Sequence, residues 1–344
     1  MRVLLIGPAW VGDMVMAHSL VQVLAAADPA LELDLVAPAA TAPLAARMPE
    51  VAAAHVLPLG HGALGLATRR GLGRDLRQRR FDQAIVLPNT WKSALIPWFA
   101  RIPRRTGWRG EWRHGLLNDI RSLNATALPR LVDRYVALAR PVGAPLPEAP
   151  PPRLVAHADA ARALAARFRL ETDDPVLACC PGAEFGPSKR WPPAAFAALI
   201  RQRVAAGWQT WLFGAAGDAP ATAAIMDTLT AAERERVHDL AGRTSLLEAV
   251  DLLSCCRAAV SNDSGLMHVA GALGLPVVAI YGSSSPAFTP PLGTEARTVS
   301  LDLPCAPCFQ RHCPLGHLDC LRRLPATRVE DALAALLPTR SCAP

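Results

Sequence analysis

The sequence predicts an α/β protein of two doubly wound domains, each a parallel sheet covered by helices. Three observations predict it. Short apolar runs closed by Gly or Pro alternate with stretches of helical periodicity. That alternation fills the first half of the chain and starts again in the second. Between the halves lies PVGAPLPEAPPPR (141–153), whose six prolines in thirteen residues allow neither a helix interior nor a central strand. A stiff, extended linker is expected there, dividing the chain into residues 1–150 and 151–344. A length of 344 residues suits two domains.

The elements follow in order. VLLIG (3–7) and LDLVAP (33–38) read as strands, and Asp13 to Ala27 between them as a helix. In that helix Met14, Ala17, Val21, Leu24 and Ala25 recur at helical spacing, and Asp28-Pro29 ends it. HVLPL (55–59) and AIVLP (84–88) are further strands. In the second half VLACCPG (176–182), TWLFG (210–214), AAVSND (258–263) and VVAIYG (277–282) read as strands. AAFAALIRQRVAAG (194–207), SLLEAVDLLSCC (245–256) and SGLMHVAGALG (264–274) read as helices. Strand–helix–strand order implies parallel pairing. The final helix is expected to return to the first domain. Two facing domains of this kind leave a cleft at the carboxyl ends of their strands, where ligands bind.

Composition narrows the function. Apolar residues make up 51% and charged residues 19%, a globular balance. No segment approaches the roughly 20 uninterrupted apolar residues of a membrane span. The start, MRVLLIGPAW, has one basic residue and a short apolar run, so it reads as a buried strand rather than a signal peptide, and a cytoplasmic protein is expected. The formal charge is +7, with much of the excess between Arg69 and Arg134. Such a surface suits nucleic acid, anionic lipid or a phosphorylated substrate, or is simply a solvated Arg-rich face. No nucleic-acid motif accompanies it and aromatic residues are only 5%, which argues against a stacking platform for bases.

Three loops carry the chemical signal. GPAWVGD (7–13) joins a strand to a helix but is neither G-x-G-x-x-G nor a P-loop, because Gly12 is followed by Asp13. Asp13 caps the helix and complements its dipole, or is a general base kept ionised by that dipole. In CCPGAEFGPSKRW (179–191), Lys189 and Arg190 stand before a helix opened by Pro192-Pro193. Cations there oppose the dipole unless an anion is bound, so they mark a phosphate site or are merely solvated. In SNDSGLMHVAGALGLP (261–276), Asn262, Asp263 and Ser264 are strong caps, and Gly265 leaves backbone N–H groups open to a diphosphate or sugar hydroxyls. His268, one turn along, points the same way or is a satisfied structural histidine.

The chain has nine cysteines. Cys179, Cys180, Cys255 and Cys256 lie in or beside apolar runs and read as small core residues. Cys305, Cys308, Cys313 and Cys320 form C-x2-C-x4-C-x6-C, with His312 and His317 nearby. That is enough for zinc or an iron–sulfur cluster in a structural role, or the thiols are reduced and pack a loop. An odd total does not suggest a disulfide framework.

The run GPAWVGDMVM (7–16) resembles the amino-terminal signature of the bacterial ADP-heptose–lipopolysaccharide heptosyltransferases, glycosyltransferase family 9. AARMPEV (45–51), LGHGALGL (59–66), RTGWRGEWRHGLLND (105–119), PGAEFGPSKRW (181–191), NDSGLMHVAGAL (262–273) and SSPAFTPPL (284–292) are similar too, in order along nearly the whole chain. RTGWRGE together with PGAEFGP resembles the branch that adds the second heptose. The Cys-rich stretch looks like an element that some members carry and others lack. The resemblance implies a GT-B fold, two Rossmann-like domains facing across a cleft. It implies inverting, metal-independent transfer of L-glycero-D-manno-heptose, with no cofactor because ADP-heptose is a substrate. The implied acceptor is the first heptose of the inner core, carried on Kdo and lipid A at the inner face of the inner membrane. Trp10, Arg105, Arg109 and Arg113 would then serve the acceptor in the first domain. Gly182, Lys189, Arg190, Asp263, Ser264, Gly265 and His268 would serve the ADP-sugar in the second.

Inversion takes one displacement at the anomeric carbon, with a carboxylate activating the attacking oxygen from the opposite face, as in inverting glycoside hydrolases. Asp13 is the expected base. Lys189 and the helix beginning near Ser264 are expected to stabilise the departing ADP. The rivals are a GT-B transferase using another sugar nucleotide and a non-catalytic phospho-glycan-binding module. A nicotinamide-dependent oxidoreductase is weaker, because no G-x-G-x-x-G follows a strand.

Overall fold

The computed structural model describes residues 1–60, 62–293 and 295–337; His61 of the 59–66 segment and Cys342 lie outside the described residues. The chain forms two compact units, dividing between Val155 and Ala156. The first unit contains β1 (Arg2–Ile6), α1 (Val11–Ala27), β2 (Glu32–Pro38), β3 (Ala53–Leu57), α2 (Leu66–Leu76), β4 (Gln83–Val86), α3 (Leu95–Phe99), β5 (Arg104–Trp108), β6 (Asp119–Arg121) and α4 (Leu131–Leu138). Its sheet has the order β3-β2-β1-β4-β5-β6 and every pairing is parallel. Helices on a parallel sheet bury both faces, which is why β1 and β4 are apolar nearly throughout. Leu4, Ile6, Val36, Ala84 and Val86 meet Leu76, Phe81 and Ile96 in one core.

The second unit opens with α5 (Ala158–Phe168), β7 (Val176–Cys180), α6 (Pro193–Ala205), β8 (Gln209–Leu212), α7 (Ala219–Asp227), α8 (Ala231–Arg234) and β9 (Val237–Asp239). It continues with α9 (Leu246–Leu253), β10 (Ala258–Asn262), α10 (Gly265–Ala272), β11 (Val277–Ile280), β12 (Ala296–Val299), α11 (Asp319–Arg322) and α12 (Ala326–Ala334). The sheet order is β12-β11-β10-β7-β8-β9, again parallel. Its core gathers Leu177, Val260, Val278 and Ile280 with Trp191, Phe196 and Leu199. Cys179, Cys180 and Cys256 are buried among such residues, and burial pushes their thiols up, Cys180 to about 12.

Two sequence expectations differ from the structure, the start of α1 and the end of β3, while the proline-rich stretch forms neither helix nor strand. It lies on the first unit, where Ser19 Oγ donates to the Pro150 carbonyl (2.6 Å) and Gln22 Nε2 to that of Pro151 (2.9 Å). The Arg153 N–H donates to His18 Nδ1 (3.0 Å), which puts the ring proton on Nε2, 2.7 Å from Glu50. Helix α1 starts at Val11, two residues before Asp13, with Trp10 at the cap position. β3 ends at Leu57, before Pro58, which has no N–H for the ladder. α12 packs on α6, β11 and β12, burying Val329 and Leu333. Among the described residues no helix is long and apolar enough to cross a membrane.

Candidate active site

In a doubly wound sheet the order of strands reverses at one point, and the loops leaving the strands there diverge to form a ligand crevice. The switch point lies between β1 and β4 in the first unit and between β7 and β10 in the second. The loops after β1, β7 and β10 are the three singled out in the sequence.

In the second unit, Asp263 follows β10 and is 5% exposed. Its Oδ2 accepts from Lys189 Nζ at 2.5 Å and from Ser284 Oγ at 2.5 Å. Lys189, after β7, and Ser284, after β11, thus converge on one carboxylate. The lysine's loop is anchored two residues further on. Trp191 is 1% exposed, stands edge-to-face with Phe196 at 4.9 Å, and donates its indole N–H to Leu324 O at 3.1 Å. Asn262 ties the same loops together, its Oδ1 accepting from Trp191 N (3.1 Å) and its Nδ2 donating to Pro181 O (2.6 Å). The Phe185 ring lies 5.0 Å from Lys189 Nζ.

α10 begins at Gly265 with Ser264 as N-cap, but the Ser264 side chain makes no capping bond; its Oγ lies 3.3 Å from Ser261 Oγ. This corrects the reading of Ser264 as a strong cap, and it leaves the helix N-terminus to other acceptors. His268 is 5% exposed and its Nδ1 has no partner. Burial lowers its pKa to about 4, with Asp263 raising it and Lys189 lowering it further, so the ring is neutral at pH 7. The conflict inferred from two cations before a helix is relieved inside the protein. Lys189 pairs with Asp263, and Arg190 donates to Ala183 O (3.2 Å) and lies 3.7 Å from Asp218. Asp218 was not anticipated; a Cβ on Gly182 would meet its carboxylate at 2.3 Å, so this glycine is a close approach.

In the first unit, Asp13 is half-buried in the first turn of α1, at the third helical position rather than the cap. The Tyr135 hydroxyl is pushed well up, mainly by burial and then by the charge of Asp13, which places the carboxylate near α4. Thr41 Oγ1 holds the preceding loop through Pro8 O at 2.9 Å, and Trp10 is 38% exposed.

The basic stretch divides. Arg109 is exposed just beyond β5. Arg105 is near the amino end of β5, its guanidinium donating to Leu116 O and Ile102 O, both at 2.6 Å. Arg113 is 2% exposed and donates to Pro88 O (2.8 Å), Asn89 Oδ1 and Trp108 O, pinning the ends of β4 and β5 together. Both guanidinium groups are thus spent largely on loop carbonyls, clamping the segments around β4 and β5. Burial lowers the pKa of both.

The chain belongs to glycosyltransferase family 9 (heptosyltransferase), whose model matches residues 69–319. It is 50% identical over 308 residues to lipopolysaccharide heptosyltransferase 2 of Salmonella typhimurium, covering 88% of each chain. It is 47% identical over 310 residues to lipooligosaccharide heptosyltransferase 2 of Haemophilus influenzae, covering 88% of this chain and 89% of that one. The solved Escherichia coli ADP-heptose LPS heptosyltransferase II superposes with a TM-score of 0.87 at 44% identity, covering 98% of both chains. The two six-stranded parallel sheets are those of the GT-B glycosyltransferases.

Proposed function

We propose that this protein transfers L-glycero-D-manno-heptose from ADP-heptose to the first heptose of the lipopolysaccharide inner core, with inversion and without metal or cofactor. The observation that carries the reading is the convergence of Lys189, Asp263, Ser284 and the uncapped end of α10 at the switch point of the second unit. Lys189 has three donors, of which Asp263 takes one, so the ammonium can hold its carboxylate and still meet a phosphate oxygen. The amide groups opening α10 supply further donors as charge grows on the leaving ADP. Neutral His268 is suited to hold a sugar hydroxyl and adds no charge. Gly182 and Arg190 shape the loop beside them.

Asp13 is the proposed general base, drawing the proton from the acceptor hydroxyl as it attacks. Trp10 offers a flat apolar face to the acceptor sugar, and Arg109 a cation to its anionic groups. Work at the anionic inner face of the inner membrane suits the exposed Trp98 and Trp112 of the first unit, 45% and 93% accessible. Cosedimentation with anionic but not neutral vesicles checks that placement; indifference to both removes it. The donor assignment is tested by calorimetry with ADP, UDP and GDP. ADP alone should bind tightly and in competition with ADP-heptose; preference for UDP or GDP would reassign the sugar nucleotide.

A further inference from the structure

The reaction proposed above leaves a helix of arginines unused. Residues 66–80 hold six arginines and one acid, Asp75. Arg69 is turned inward and donates to Leu64 O at 2.6 Å, and Arg79 pairs with Asp34 at 2.9 Å. Arg70, Arg74, Arg77 and Arg80 are exposed, and among the described residues none of the four is in an ion pair. Leu66, Arg70 and Arg74 of α2 and Arg77 at its end follow one another by four, four and three residues, so they share one face of the helix. Like charges at that spacing repel, and Gly65 supplies no side-chain cap to offset it. An anionic surface laid against this face turns the repulsion into attraction and removes the conflict.

α3 brings an aromatic edge to the same helix. Gly73 is buried on the inner side of α2, where a Cβ would meet Phe99 Cβ at 2.6 Å and Ile96 O at 2.8 Å, so only glycine lets the two helices approach this closely. The Phe99 ring stands edge-to-face with that of Trp98 at 5.0 Å. Trp98 therefore borders the middle of α2, and it is 45% exposed. Arg101, exposed and likewise in no ion pair among the described residues, closes the turn after α3, its N–H donating to Trp98 O at 3.0 Å. Leu64 and Leu66 are exposed where α2 opens.

We infer that α2, with Trp98 beside it, is the surface by which this protein docks on an anionic phospholipid bilayer. Arg70, Arg74 and Arg77 span about 10 Å along the helix, too far for one phosphate and suited to several neighbouring headgroups. The guanidinium groups take headgroup phosphates, while the Trp98 indole and Leu66 enter the boundary between headgroups and acyl chains. A nucleic-acid duplex would meet the arginines but gain nothing from the exposed Leu64 and Leu66. The docking role rests on the membrane placement proposed above and adds the element that makes the contact; the donor and acceptor sites do not enter it.

The test uses the full chain with vesicles of phosphatidylcholine, alone or mixed with phosphatidylglycerol. Cosedimentation is the readout, and Tm and ADP affinity are followed in parallel. Each guanidinium near an anionic surface is worth about fivefold in binding, so the triple variant Arg70→Gln/Arg74→Gln/Arg77→Gln should bind the mixed vesicles about 100-fold more weakly, at unchanged ADP affinity. Lysine at the same three positions should bind as wild type. Salt should release the wild type, and Trp98→Ala should weaken binding without changing that salt dependence. Should the glutamine variant melt early, Arg70→Gln alone serves, with about a fivefold loss expected. Equal binding of wild type and glutamine variant to the mixed vesicles would overturn the role of α2 and leave the membrane placement standing. A wild type that binds neither vesicle would overturn both. Tighter binding to a duplex oligonucleotide than to the mixed vesicles, at equal phosphate, would overturn it in favour of nucleic acid.

Discussion

Replacing Lys189 by alanine separates the two duties that the structure gives it. Lys189 and Asp263 form a 2.5 Å pair with side chains 16% and 4% exposed. Removing one partner of a fully buried pair costs about 3–5 kcal/mol, because the remaining charge is stranded. Lys189 is not fully buried and Ser284 still donates to Asp263, so about 2 kcal/mol is expected here. For a unit of this size that lowers Tm by roughly 4–8 °C. Loss of the phosphate contact should weaken ADP binding by about 1.5–3 kcal/mol, roughly 10- to 150-fold in Kd. The double variant Lys189→Ala/Asp263→Asn distinguishes the two effects. It removes the stranded charge, so Tm should recover, whereas ADP affinity should stay low. Calorimetry and thermal melts of the wild type and the two variants give every quantity needed. Wild-type ADP affinity in Lys189→Ala would refute the phosphate role and leave the pair as a structural clamp.

Asp13→Asn should lower turnover about 10²–10⁴-fold at unchanged ADP-heptose affinity. Asp13 is not the cap but occupies the third helical position, where its charge is favoured by the helix dipole by about 0.3–1 kcal/mol; wild-type single-turnover rates would end its role as base. The pH dependence of stability should carry the mark of His268. Its folded pKa of about 4 lies below the unfolded 6.5, so the unfolded chain binds the extra proton and stability falls as pH drops through that window. Between pH 7 and pH 5 this amounts to about 2 kcal/mol, and His268→Gln should flatten the dependence in urea titrations by that amount. His18, whose pKa burial also lowers, contributes in the same sense in both proteins and cancels in the difference. An identical slope in His268→Gln would contradict the burial argument. Transfer should persist in EDTA, with Tm followed in parallel; a loss restored by Mg²⁺ or Mn²⁺ at unchanged Tm would show that Lys189 and α10 do not suffice for the leaving group.

The sequence was legible where burial dictates composition. β1, β4, β7, β10 and β11 are almost wholly buried, so their apolar runs and the loops after them could be read directly. β5 and β6 were missed because polar side chains fill them: Asp119 accepts from Thr106, Arg104 and Arg121, an ion-pair cluster that leaves no alternating apolar pattern. The start of α1 was misplaced because Trp10 is not a capping residue type and a cap signal was sought at Asp13. The carbonyl contacts of Arg105 and Arg113 were not legible either, because net charge cannot tell a guanidinium aimed at solvent from one bonded to carbonyls. Asp218 and Ser283 had no signal of their own, and Ser284 stood only at the start of the 284–292 segment, without a role. Their neighbours, Gly182, Ser188 and Asp263, are distant in sequence and meet them only once the strands are ordered.

The most direct test of heptosyl transfer is to mix the purified protein with ADP-heptose and a heptose-terminated core acceptor, and to measure ADP release together with acceptor mass. One ADP should appear for each heptose gained by the acceptor, with inverted anomeric configuration and with no release when the acceptor is left out. No ADP release with both substrates present, or release that does not depend on the acceptor, would contradict it.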